Sequence, residues 1–157
     1  MKSEVREKLS VDSIEIHHES EIAAPIQIVF ESVLDQLGPE GQMPGGMAFP
    51  MKLEARPGGR WYRDLGNDAG HLWGHVQVIK PPTLLEISGP LMVPGPAFNH
   101  LQYRLKAEGD MTRLTFWHKG IGNFPQDYME GFSAGWAYWV GRIRELSESK
   151  QAREHSR

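Results

Sequence analysis

The chain has 157 residues, 39% of them hydrophobic and 24% charged, with a formal net charge of −3 and no cysteine. That length suits one domain with a full core. The charge lacks the basic surplus of a nucleic-acid footprint, and the missing thiols exclude disulfides, thiolate metal sites and cysteine nucleophiles.

Met1 to Leu9 alternates charges without an apolar run, unlike a signal peptide, and no stretch of about 18 apolar residues is present. A cytoplasmic protein with no membrane span is therefore expected. Residues 1–12 read as a flexible lead-in. Ile14, Ile16, His18, Ser20 and Ile22 then alternate with Glu15, His17, Glu19 and Glu21, the period of a strand with an acidic outer face. Pro25 opens a helical pattern through Ile26, Val29, Phe30, Val33, Leu34 and Leu37, and Gly38-Pro39 stops it. Residues 38–50, rich in Gly, Pro and Met, predict a long loop or broken helix. Its methionines suit either an adaptable apolar opening or a plain surface excursion.

A series of strands follows. Lys52 to Arg56 and Arg60 to Asp64 flank the turn at Gly58-Gly59. After Gly66 to Gly70, simple alternation puts Leu72, Gly74, Val76 and Val78 on one face and Trp73, His75 and Gln77 on the other. Lys80-Pro81-Pro82-Thr83 ends that strand. Leu84 to Gly89 is short and apolar, and residues 90–96 form a stiff proline-rich connector. Phe98 to Ala107 aligns Leu101, Tyr103 and Leu105. Met111 to Lys119 aligns Leu114, Phe116 and His118 opposite Arg113, Thr115 and Trp117.

The last apolar pattern is the strongest. Phe132, Trp136, Trp139, Val140, Ile143 and Leu146 share one helical face, with Arg142, Arg144 and Glu145 outside it toward solvent. Two buried tryptophans contribute about 2–3 kcal/mol each, so this face requires a broad concave partner. Residues 147–157 carry no apolar period and read as a polar tail. The expected fold is α+β: a meandering, curled antiparallel sheet of about six or seven strands around a long C-terminal helix, in one domain over residues 13–146.

Five motifs in order resemble a known family. They are Ala24-Pro25 with Val29-Phe30; Pro57-Gly58-Gly59-Arg60-Trp61; Gly74, Val76 and Val78 before Pro81-Pro82 and Leu85; Thr112 to His118 with Gly120; and Gly135-Trp136 with Val140 and Ile143. Together they resemble the SRPBCC (START-like, birch-pollen-allergen-like) superfamily. Within it, the chain is most similar to homologues of the C-terminal domain of the heat-shock-protein-90 ATPase activator. The resemblance implies a helix-grip fold around a central cavity, with apolar ligands in most members and cyclase or dehydratase activity in a minority.

The inward set then holds Trp61, Arg63, Leu72, Gly74, Val76, Val78, Tyr103, Phe116 and His118, facing Phe132, Trp136 and Trp139. Buried polar groups among these need partners. His118 is either a core histidine bonded to a backbone carbonyl or to Tyr103, or a ligand anchor or general acid/base with Tyr103. Arg63 either reaches solvent or meets an anionic head group. His17 and His18 point to opposite faces, and His71 and His75 are about 13 Å apart, so no metal site is expected. No cofactor is expected.

Three readings follow. The first is binding of a small hydrophobic or amphipathic ligand by Trp61, Arg63, Val76, Tyr103, Phe116, His118, Phe132, Trp136 and Trp139. The second is a cyclase or dehydratase using His118 and Tyr103. The third is an interaction module, for a chaperone partner or a homodimer, docking through Trp73 and Trp117 on the outer face.

Overall fold

A computed structural model of the chain describes residues 1–4 and 7–156. Val5, Arg6 and Arg157, which the expected lead-in and tail include, lie outside the described residues. The elements run β1 (Asp12–Ile22), α1 (Ile26–Gln36), β2 (Lys52–Leu53), β3 (Arg60–Gly66), β4 (Ala69–Lys80), β5 (Leu84–Gly89), β6 (Ala97–Glu108), β7 (Met111–Gly122) and α2 (Gln126–His155). All seven strands form one antiparallel sheet in the order β1-β7-β6-β5-β4-β3-β2. It curls without closing, and α2 lies in its concavity. The architecture is the expected α+β helix grip.

The aromatic face of α2 is its buried face: Phe132, Trp136, Trp139, Val140 and Ile143 join the single core with the inward residues of the sheet. The register of β1, β6 and β7 follows the alternation read from sequence. Leu101, Tyr103 and Leu105 of β6 pair with His118, Phe116 and Leu114 of β7, and all six are buried.

Strand β4 departs from simple alternation. Trp61 pairs with Gly74 but Tyr62 pairs with Leu72, so Trp73 is an extra residue in a β-bulge. The bulge reverses the facing of its neighbours. Trp73, expected outside, is 2% exposed in the core, while Leu72, expected inside, is 46% exposed. A second irregularity at Gln77 pairs Val78 with Glu86 and Ile79 with Leu85, so Ile79 rather than Val78 packs against the core.

Two further expectations change. Helix α2 continues through the polar segment to His155. Buried Ser147 bonds back to the Ile143 carbonyl at 2.7 Å, and Lys150 pairs with Asp35 of α1, so packing against α1 supports turns that have no apolar period. Arg142, expected in solvent, has a side chain only 16% exposed. The segment from Lys52 to Arg56 is a strand only at its first two residues; Glu54 instead holds the Arg60 backbone and guanidinium at 2.8–2.9 Å. Among the described residues, no helix is long and apolar enough to cross a membrane.

Candidate ligand-binding site

Pro125 precedes the first turn of α2 in extended conformation, and the next three turns form the wall of an open cavity of about 270 Å³. Phe132, Trp136 and Trp139 give it an aromatic floor, with Tyr128 beside them. Gly131 and Gly135, four residues apart on the same flank, keep that flank open: a Cβ at either would meet nothing within 4 Å. Met43 and Pro44 close one side and Met92 another.

Met43 is held by a compact turn, not a helix. Gln42 bridges to Ala48, Met43 N–H donates to the Met47 carbonyl at 2.9 Å, and Gly46 N–H donates to that of Met43 at 3.0 Å. Gly45 and Gly46 take φ of 94° and 84°, which favours glycine. Tyr138 of α2 donates to Gln42 Oε1 at 3.4 Å, tying the turn to the helix. The loop methionines thus supply part of an apolar rim.

Behind the wall lies a buried polar chain. Trp136 Nε1–H donates to His118 Nδ1 at 2.9 Å, which fixes the proton of the neutral ring on Nε2. That nitrogen donates to Asn99 Oδ1 at 2.7 Å, and Asn99 Nδ2 donates to the Gly89 and Pro90 carbonyls at 3.2 and 3.3 Å. Burial pushes the His118 pKa from 6.5 down to about 4. His118 is therefore a neutral group with both nitrogens engaged. Asn99, invisible as a partner in the sequence, faces it from β6.

The other expected site residues occupy distinct places. Phe132, Trp136 and Trp139 line the cavity. Trp61 caps α1 by donating Nε1–H to the Leu37 carbonyl at 2.7 Å, satisfying an end-of-helix acceptor. Val76 is core. Phe116 packs between Tyr103 and Trp136, with ring centroids 5.0 and 5.1 Å away. Tyr103 is buried, its hydroxyl has no hydrogen-bond partner among the described residues, and burial raises its pKa well above the ordinary value. It makes no bond to His118. Arg63 stacks over Phe49 at 3.9 Å and donates to the Pro50 carbonyl at 3.0 Å, away from the cavity.

The bulged Trp73 supports the floor from behind, stacking on Trp139 with centroids 6.1 Å apart and planes 5° from parallel. Sequence spacing also left out Met92, Asp127, Tyr128, Gly131 and Gly135 as lining residues. Tyr128 and Phe132 at i, i+4, with Gly131 and Gly135 beside them, was the available signal. No group of described residues could hold a metal ion.

This curled sheet gripping a long helix, with a cavity against the helix, defines a protein of the SRPBCC superfamily. The family model of the activator of Hsp90 ATPase homolog 1-like proteins matches residues 23–148, and the chain belongs to that family. Solved structures share the fold at low identity. A Rhizobium leguminosarum protein is 16% identical over 91% of this chain and 99% of its own, with a TM-score of 0.66. Mll3558 from Rhizobium loti is 18% identical over 87% and 99%, also at 0.66. The Aha1 dimer from Colwellia psychrerythraea is 16% identical over 86% and 96%, at 0.63. No curated protein matches the chain.

Proposed function

We propose that the protein is a binding module for a small apolar or amphipathic molecule, seated along the first turns of α2. The carrying observation is the open cavity floored by Phe132, Trp136 and Trp139, with Gly131 and Gly135 leaving room above the helix. Its 270 Å³ lies just below the usual range for drug-sized ligands, which suits a compact guest. Methionines at the rim adapt to guests of different outline. The ligand sits on the outer side of Trp136, and His118 acts from behind by holding that indole in place.

A neutral apolar dye, N-phenyl-1-naphthylamine, tests the reading. Its emission should rise on binding the purified protein and stay low with Gly135→Leu, whose side chain projects into the cavity. Equal enhancement by both proteins would sink the assignment of this cavity. An acid/base role for His118 and Tyr103 draws no support from the geometry, since both imidazole nitrogens are already bonded.

Pairing with a second copy is the alternative that has an observation behind it. Phe98 and Ile121 face each other across β6 and β7 and are both more than half exposed, and the Colwellia relative is described as a dimer. Light scattering of the native protein and of Ile121→Lys would test it. Docking through Trp73 and Trp117 has less behind it: Trp73 is in the core, and the Trp117 ring is already in contact with His17, 4.2 Å away, and with Lys119 Nζ, 5.2 Å away.

A further inference from the structure

We propose that the guest of this cavity is an organic cation, an ammonium or amidinium group on a compact apolar body. The inference rests on the binding reading above and narrows it to a ligand class. The lining contains no lysine, arginine or histidine; its one ionisable acid is Asp127 at the exposed first turn. Among the described residues Asp127 is paired with no basic side chain. The rest of the wall is electron-rich. Tyr128, Phe132, Trp136 and Trp139 contribute aromatic rings, whose faces carry the negative end of the quadrupole, and Met43 and Met92 contribute polarisable thioether sulfurs. Aromatic faces attract cations through the ring quadrupole, most strongly for tryptophan.

The layout is directional. From Asp127 to Trp139 the helix rises about 18 Å, passing from the exposed carboxylate to the buried indole. A cation at the Asp127 end and an apolar body over Gly131, Gly135 and Trp139 matches that gradient. An anion would find the opposite. The amides at the helix N-terminus favour negative charge, but Asp127 already supplies it there. The arginine that sequence placed among the ligand contacts, Arg63, is engaged with Phe49 and Pro50 elsewhere.

Three probes of nearly one shape separate the possibilities: 1-naphthylmethylammonium, 1-naphthylmethanol and 1-naphthoate. Each is titrated calorimetrically into the 157-residue protein, its Asp127→Asn variant and its Gly135→Leu variant, at neutral pH and low salt. The ammonium should bind roughly tenfold more tightly than the alcohol, and naphthoate most weakly. Asp127→Asn should shrink the ammonium's advantage over the alcohol, and added salt should shrink it in the native protein. Equal affinity for ammonium and alcohol, or tightest binding of naphthoate, overturns the cation assignment and leaves the apolar cavity standing. Failure of all three to bind, or equal binding to Gly135→Leu, overturns the cavity reading and the cation assignment with it.

Discussion

Trp136 gives one side of its indole to the cavity and its N–H to His118 Nδ1 at 2.9 Å. The cavity wall and the buried polar chain His118–Asn99 thus share a side chain. Replacing Trp136 by Phe keeps an aromatic floor but strands a buried acceptor, which costs about 1–3 kcal/mol. The urea midpoint should fall at unchanged slope. A midpoint equal to that of the native protein would mean that the bond contributes nothing.

The histidine end of that bond predicts a pH dependence. The unfolded chain takes up a proton at His118 near pH 6.5, whereas the folded protein holds it off until about pH 4. The unfolded state therefore binds more protons across this window, and stability falls as pH drops through it. At about pH 5 the loss is on the order of 2 kcal/mol relative to pH 7.5. Urea titrations at both pH values measure it. His118→Gln should flatten the difference; an undiminished slope would assign it to other groups.

The β4 bulge makes a paired forecast at adjacent positions. Trp73→Ala removes a core ring that supports Trp139 and should cost about 3–5 kcal/mol. Leu72→Lys, on the exposed face, should change stability by no more than about 0.5 kcal/mol. Simple strand alternation would reverse that order, so thermal or urea unfolding of the two variants decides between them.

Two glycines should respond in opposite directions to alanine. A Cβ on Gly120 would lie 2.4 Å from Asn99 Oδ1 and 3.0 Å from Phe124 Cζ, so the residue leaves room for the His118–Asn99 pair. Overpacking there should cost about 1–3 kcal/mol. A Cβ on Gly135 meets nothing within 4 Å, and alanine in that half-buried but open helical position should add up to about 1 kcal/mol. Differential scanning calorimetry of the two variants checks both signs.

Much of the site's back wall was legible in the chain because helices and regular strands repeat at fixed periods. Phe132, Trp136 and Trp139 had to share a face, and Tyr103, Phe116 and His118 had to point the same way. The bulges were not legible: one extra residue at Trp73 or Gln77 reverses parity locally, and only pairing with β3 or β5 reveals it. Asn99 could not be assigned to His118 either, since their contact depends on the β6–β7 register. The cavity's full lining escaped for a related reason. It joins a helix flank to Met43 and Met92, residues far apart in sequence.

By itself, then, the sequence determined the order of elements, the curled antiparallel sheet and the aromatic face of the last helix, all consequences of local period and turn chemistry. It could not say how completely helix and sheet would fill the space between them. Tertiary packing decided that His118 would be spent on Trp136 and Asn99, that Arg63 would settle on Phe49, and that open volume would remain beside Gly131 and Gly135. A cavity is defined by the side chains that fail to meet across it, and no local pattern encodes that distance.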